Sequence, residues 1–159
     1  AKTDFAHLSL SRQFADRTVK KFYTAITDGN YKCDVGTVDA PIGRDKRNRL
    51  KMAVVPDGRH AVTEYTVLER FKKNCYVRFG LLTGRTHQIR VHSAYIGKPI
   101  SCDALYGGSA RLGAAGQLLH SHTVTFAHPR DNAVRTFTAD EPEDFRSALG
   151  FLRAHEKLG

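Results

Sequence analysis

The sequence predicts a single α+β domain, residues 1–159, built on a largely antiparallel mixed sheet with flanking helices. Three observations predict it. Most β-like segments are separated by tight turns rather than by helical crossovers. Helical periodicity is confined to three places, near the start, the middle and the end of the chain. At 159 residues the chain is long enough for one core without disulfides or metal, and no repeat, linker or low-complexity tract divides it.

The elements follow in order. Phe5, Leu8, Leu10 and Phe14 within a polar stretch predict an amphipathic helix from about Asp4 to Asp16. Val19 to Thr27 is rich in β-branched and aromatic residues and predicts a strand, closed by Asp28-Gly29-Asn30. Gly36 to Ile42 predicts a shorter strand, and Gly43 to Lys51 a flexible polar loop. His60–Phe71 and Asn74–Leu82 predict a hairpin joined at Lys72-Lys73, and their imperfect alternation implies that both faces are partly covered.

Thr86 is the expected cap of a helix through Ile96, with Gly97 and Pro99 as its stop. The glycine-rich stretches Gly107–Ala110 and Gly113–Gly116 read as a mobile surface loop. Leu118–Ala127 and Ala133–Ala139 predict a second hairpin. Glu143–Leu158 predicts a terminal helix with acidic residues at its positive end. The expectation is roughly six strands and three helices.

The net charge of +9 favours partners with a phosphate backbone. Cys33, Cys75 and Cys102 are an odd number without a C-x-x-C pair, which argues against a disulfide framework or a structural zinc site and fits a reducing cytoplasm. No apolar stretch is long enough to span a bilayer as a helix. No Walker or dinucleotide glycine loop and no Ser-His-Asp nucleophile elbow is present, so no nucleotide cofactor is expected.

Two regions carry candidate chemistry. Between Gly43 and Lys51 stand Arg44, Lys46, Arg47, Arg49 and Lys51 against a single acid, Asp45. That loop is either solvated surface or a phosphate clamp that positions backbone rather than reads bases. The second is the run Gly84-Arg85-Thr86-His87-Gln88-Ile89-Arg90-Val91-His92. On a helix from Thr86, residues Thr86, Arg90, Ser93 and Gly97 form one stripe, while Ile89 and Ile96 form another that should face the sheet.

Arg90, beside small side chains, is either a buried ion-pair anchor or a ligand clamp. Arg85 stands at the helix start, a favourable place for phosphate. His87 and His92 do not share a face, and His120 and His122 share a strand face without an evident third ligand, so no metal is expected. Tyr23, after Lys20-Lys21, reads from its strand alone as a core residue with its hydroxyl at the edge.

The Gly84–His92 run, then Ala94-Tyr95-Ile96-Gly97-Lys98-Pro99-Ile100, then Asp103-Ala104-Leu105-Tyr106-Gly107, resembles the RluA-type family of RNA pseudouridine synthases. Lys21-Phe22-Tyr23-Thr24-Ala25 is similar to that family's K-x-Y-x-A strand. Gly36–Arg44, Ala61–Tyr65 and Leu118–His120 resemble later strands, in order. The resemblance implies a pseudouridine synthase-like fold, of which residues 1–159 would be the C-terminal part of the catalytic domain.

It also implies an enzyme that isomerises uridine in structured RNA, ribosomal or transfer, without metal or cofactor. Such an enzyme flips the base out of the stack to reach the glycosidic bond. On this reading Tyr23 stacks on the uracil and assists proton removal from C5, Arg90 pairs with the catalytic aspartate, and Lys21 supports the same pocket. Arg85 and the basic loop, the loop read from its charge rather than from the family, would grip phosphates, and His87 would join them in holding RNA. The family's aspartate lies in an H-R-L-D-x-x-T-S-G segment just before an Ala-Lys pair, and this sequence opens at Ala1-Lys2. Within these 159 residues Arg90 is therefore expected to be an unpaired cation, and the chain alone is expected to bind RNA weakly and turn over little or none. The other reading is a non-catalytic RNA-binding module of the same fold.

Overall fold

The computed structural model describes residues 1–158 and shows an α+β fold with every named strand pairing antiparallel. Helix α1 (Asp4–Ala15) leads into β1 (Lys20–Asp28), β2 (Val35–Asp39), β3 (Ile42–Arg44), β4 (Met52–Val54), β5 (Val62–Arg70) and β6 (Asn74–Leu81). Helix α2 (Gln88–Tyr95), β7 (Leu119–Ala127), β8 (Val134–Thr138) and α3 (Glu143–His155) complete the chain. Six strands form one sheet in the order β2-β5-β6-β1-β7-β8, and β3 with β4 forms a separate two-stranded ribbon.

Successive residues of β1 divide the core between the two sheet faces, as the period of two requires. Ala25 joins Val77, Phe79, Ile100 and Ile89 of α2, whereas Ile26 joins Phe71, Leu118 and the α3 residues Phe145, Ala148, Leu149 and Leu152. Helices α2 and α3 thus cover opposite faces of the sheet. Helix α1 buries none of its residues and is tied down by a reciprocal pair, Gln13 Nε2 to the Ala127 carbonyl and Ala127 N–H to Gln13 Oε1.

Several expectations need correction. Gly36–Ile42 is not one strand: the chain breaks at Ala40-Pro41, and Ile42–Arg44 pairs instead with Met52–Val54. The polar loop between them is therefore the tip of a hairpin, and it is not loose. Asp45 Oδ1 accepts the N–H groups of Arg47 and Asn48 at 2.7 and 3.0 Å, and Arg44 donates to the Arg49 carbonyl. Both faces of the sheet are partly covered, as the imperfect alternation implied, and β5 also carries a register shift between Val67 and Glu69. Helix α3 ends at His155 rather than Leu158.

The glycine-rich stretch is pinned rather than mobile. Ser109 N–H donates to Asp28, whose carboxylate also accepts Ser101 Oγ and Asn74 Nδ2. Arg111 donates to Asn74 and Glu156. At Gly108 a Cβ would overlap the Ile100 carbonyl oxygen, so the backbone passes where only glycine fits.

Helix α2 stops as expected. Gly97 is left-handed (φ 71°), with Gly97 N–H to the Ala94 carbonyl and Lys98 N–H to the Ser93 carbonyl, a Schellman ending. Its start differs, because Thr86 is not the cap. His87 holds that position in the left-handed region (φ 56°) without a capping hydrogen bond from its side chain. The fixing is done by buried Gln88. Its Oε1 accepts Thr83 Oγ1 and Arg85 N–H, and its Nε2 donates to the Val62 carbonyl and Thr63 Oγ1. Gln88 ties the helix start to β5 and the end of β6 with every polar atom of its amide engaged.

Candidate RNA-binding and base-modifying site

The Gly84–His92 run, expected as one cluster of donors, is divided three ways by its fold. Gly84 and Arg85 line a cavity, His87 and Arg90 face the Asp103–Tyr106 turn, and Gln88 and His92 are buried.

The cavity has a volume of about 910 Å³ and lies where the end of α1, the start of β1 and the end of β6 converge. Arg17, Lys20, Lys21, Arg59 and Arg85 line it, with Phe14 and Phe22 as apolar walls and Glu64 as its carboxylate. Among the described residues none of these five cations forms a salt bridge. Burial, then the charges of Arg59 and Arg17, push the Arg85 guanidinium below its ordinary pKa. Arg85 is held by a 2.9 Å bond from Nε to the His60 carbonyl, and Lys21 lies over the Phe14 ring at 5.5 Å. An array of uncompensated cations beside aromatic rings suits a polyanion with planar bases.

Lys21 was expected beside Tyr23 and Arg90, but it lines this cavity with Arg85 and without either of them, and Arg17, Arg59, Phe22 and Glu64 were not expected here. They are scattered in sequence, and the pairing of β1 with β6 and of β5 with β6 brings Phe22, Gly80 and Glu64 side by side.

Tyr23 is not among the residues lining this cavity. It is half-buried on the α2 side of the sheet, against the cluster that holds Phe79 and Ile89. Among the described residues its hydroxyl makes no hydrogen bond, so the polar end stays available.

Arg90 requires a correction. It is not an unpaired cation: Nε and Nη2 each donate to a carboxylate oxygen of buried Asp103 at 2.7 Å. Its guanidinium also lies over the Tyr106 ring at 4.8 Å. Of the two readings left open for an arginine beside small side chains, the ion-pair anchor is the one observed. Asp103 also serves its own turn, accepting Tyr106 N–H at 3.3 Å.

His87 Nδ1 lies 2.9 Å from the Tyr106 hydroxyl, which also accepts Met52 N–H at 2.9 Å. Burial, then the Arg90 charge, lowers the His87 pKa and keeps the ring neutral at physiological pH. His92 is neutral for the same first reason, and both its nitrogens are engaged, Nδ1 by Thr63 Oγ1 and Nε2 by the Ala40 carbonyl.

In the basic loop Lys46, Arg47 and Arg49 are exposed, Arg44 is held by the Arg49 carbonyl, and Lys51 lies over the Tyr106 ring at 5.8 Å. Among the described residues no group of three His, Cys, Asp or Glu is placed to hold a metal ion. Among the described residues the three cysteines are free, and no helix is long and apolar enough to cross a membrane.

Comparison with known proteins agrees with the family resemblance. The family model for RNA pseudouridylate synthase matches residues 1–95. An uncharacterised RNA pseudouridine synthase of Bacillus subtilis is 47% identical over 153 residues, covering 96% of this chain and 50% of that protein. The ribosomal large subunit pseudouridine synthase D of Neisseria meningitidis serogroup B is 41% identical over 170 residues, covering 99% of this chain and 45% of that protein. In structure, human RNA pseudouridylate synthase domain containing 1 superposes with a TM-score of 0.80 over the whole chain and 76% of its own, at 24% identity, which supports the fold. The chain belongs to the RNA pseudouridylate synthase family. It spans about half the length of the curated relatives it matches.

Proposed function

We propose that the protein to which these residues belong isomerises uridine to pseudouridine in structured RNA, with large-subunit ribosomal RNA as the substrate class. The observation that carries this reading is the cavity in which five cations stand without carboxylate partners beside two aromatic walls. The names of relatives such as the Neisseria protein favour ribosomal over transfer RNA. Three free thiols among the described residues support a cytoplasmic protein.

The chemistry requires the uracil to leave its stack, break its N1–C1′ bond to ribose, rotate and form a C5–C1′ bond, with the C5 proton lost to solvent and a proton gained at N1. Lys21 and Arg85 hold phosphate at the cavity. Tyr23, whose hydroxyl has no partner among the described residues, stacks on the extruded base. His87 and the cations Arg44, Lys46, Arg47, Arg49 and Lys51 hold flanking RNA.

Arg90 takes a positioning role. Asp103 occupies Nε and Nη2, which leaves Nη1 to meet a second carboxylate, the attacking aspartate that the family resemblance implies. No carboxylate within residues 1–159 is assigned as that nucleophile. No metal or organic cofactor takes part in this scheme.

The test is tritium release from C5-labelled uridine in large-subunit ribosomal RNA and in transfer RNA, using the full-length protein. Release from ribosomal RNA with little from transfer RNA is expected. Binding of RNA without any release would overturn the proposal in favour of a non-catalytic RNA-binding module.

A further inference from the structure

The basic hairpin tip and helix α2 are separate elements, yet one side chain joins them. The Tyr106 hydroxyl accepts the main-chain N–H of Met52, the residue that follows Lys51 at the end of the basic loop. The same hydroxyl has its proton to give, and His87 Nδ1, neutral and 2.9 Å away, accepts it. Tyr106 is itself fixed from behind: its N–H donates to the carbonyl of Asp103 at 3.1 Å, and Asp103 is locked by Arg90 of α2. The Tyr106 ring packs with Met52 and Val54 of β4 against Ile42, Ala61 and Val91. Two cations lie over that ring, Arg90 and Lys51.

The chain of contacts therefore runs Arg90, Asp103, Tyr106, Met52. At its far end is a loop whose own turn is closed by Asp45 and whose exposed side chains are Lys46, Arg47 and Arg49. A two-stranded ribbon of three residues each is marginal by itself and needs a tertiary support to hold its orientation.

We propose that Tyr106 is a positioning residue for RNA. Through the Met52 N–H and His87 Nδ1 its hydroxyl fixes the β3–β4 hairpin against α2, so that Lys46, Arg47 and Arg49 meet the RNA backbone as a pre-oriented array rather than as a loose arm. Pre-orientation lowers the ordering cost of binding and leaves the chemical step unchanged. The inference rests on the reading of the basic loop as an RNA contact.

The experiment compares Tyr106→Phe with the charge-reversed loop Lys46→Glu/Arg47→Glu/Arg49→Glu in the full-length protein. Phenylalanine keeps the ring packing and both cation contacts and removes only the hydroxyl. Two results are expected of Tyr106→Phe: hydrogen exchange at the Met52 amide about tenfold faster with β1, β5 and β6 unchanged, and RNA affinity about three- to tenfold weaker with KM raised and kcat at saturating RNA unchanged.

Unchanged exchange at Met52 would overturn the proposal, because the hydroxyl would then not hold the hairpin. Faster exchange with unchanged affinity, while the charge-reversed loop binds RNA poorly, would also overturn it, since the loop would be reaching RNA without Tyr106. If the charge-reversed loop binds RNA as well as the parent does, the loop reading itself falls, and the proposal with it. A fall in kcat comparable to the rise in KM would place Tyr106 in the chemistry and overturn the positioning role.

Discussion

At the scale of residues, Arg90 and Asp103 set the largest local stakes. Both are largely removed from solvent and hydrogen-bonded twice to each other, so removing either leaves a buried charge without its partner. Arg90→Ala is expected to cost about 3–5 kcal/mol of folding stability, measured by urea unfolding. A loss below about 1 kcal/mol would mean that the pair is not a structural anchor. Activity lost by this variant has to be corrected for its unfolded fraction before it is read as chemistry.

His92 makes a second residue-scale prediction, this one in pH. Burial holds its pKa below the unfolded value of about 6.5, and His87 shifts in the same direction. A histidine with a depressed native pKa binds fewer protons folded than unfolded. Stability is therefore intact above about pH 6.5 and falls as the pH drops below it. Protonation would also make Nδ1 of His92 a donor and leave the Thr63 hydroxyl proton without that acceptor. The urea midpoint is expected to fall between pH 7.5 and 5, less so in His92→Gln. A flat profile in the parent protein would show that neither ring titrates between the folded and unfolded states.

At the scale of elements, the sequence made visible what depends on local pattern and hid what depends on tertiary company. β1, the β5–β6 hairpin and the stop of α2 follow from β-branched runs and from Gly97, and they appear where expected. The start of α2 does not follow from Thr86, because the side chain of Gln88 takes its N–H and carbonyl partners from β5 and from the segment after β6. The β3–β4 ribbon was invisible because strands of three residues carry too little alternation to register.

The Gly107–Gly116 stretch reads as loose by composition but is closed around Asp28, which no local pattern could announce. Within the site, Lys21 and Arg85 were legible because charged residues sat in recognisable motifs. Arg17 and Arg59 were not, since only the topology gathers them. Gly108 gives this scale its test. Gly108→Ala drives a methyl into the Ile100 carbonyl and is expected to cost about 1–3 kcal/mol, read by thermal unfolding. An unchanged transition would mean that the backbone relaxes freely there.

At the scale of the whole molecule, a net charge of +9 is concentrated in function by two features, the cavity cations and the hairpin tip. Charge reversal of Lys46, Arg47 and Arg49 is expected to reduce the slope of log affinity against log salt by about 0.7–0.9 for each phosphate that is no longer neutralised. A slope unchanged from the parent would reduce the tip to solvated surface.

The left-handed backbone at His87 has a consequence for how such a protein drifts over generations. A histidine at φ 56° carries a conformational cost of about 1–2 kcal/mol that glycine would not. On the proposed role of His87 in holding RNA, stability and ligand handling pull that codon in opposite directions. Under heat selection alone a library is expected to accumulate glycine or asparagine at this position. Under a simultaneous demand for RNA affinity it should revert to histidine, making one torsion angle a record of which pressure the lineage has met.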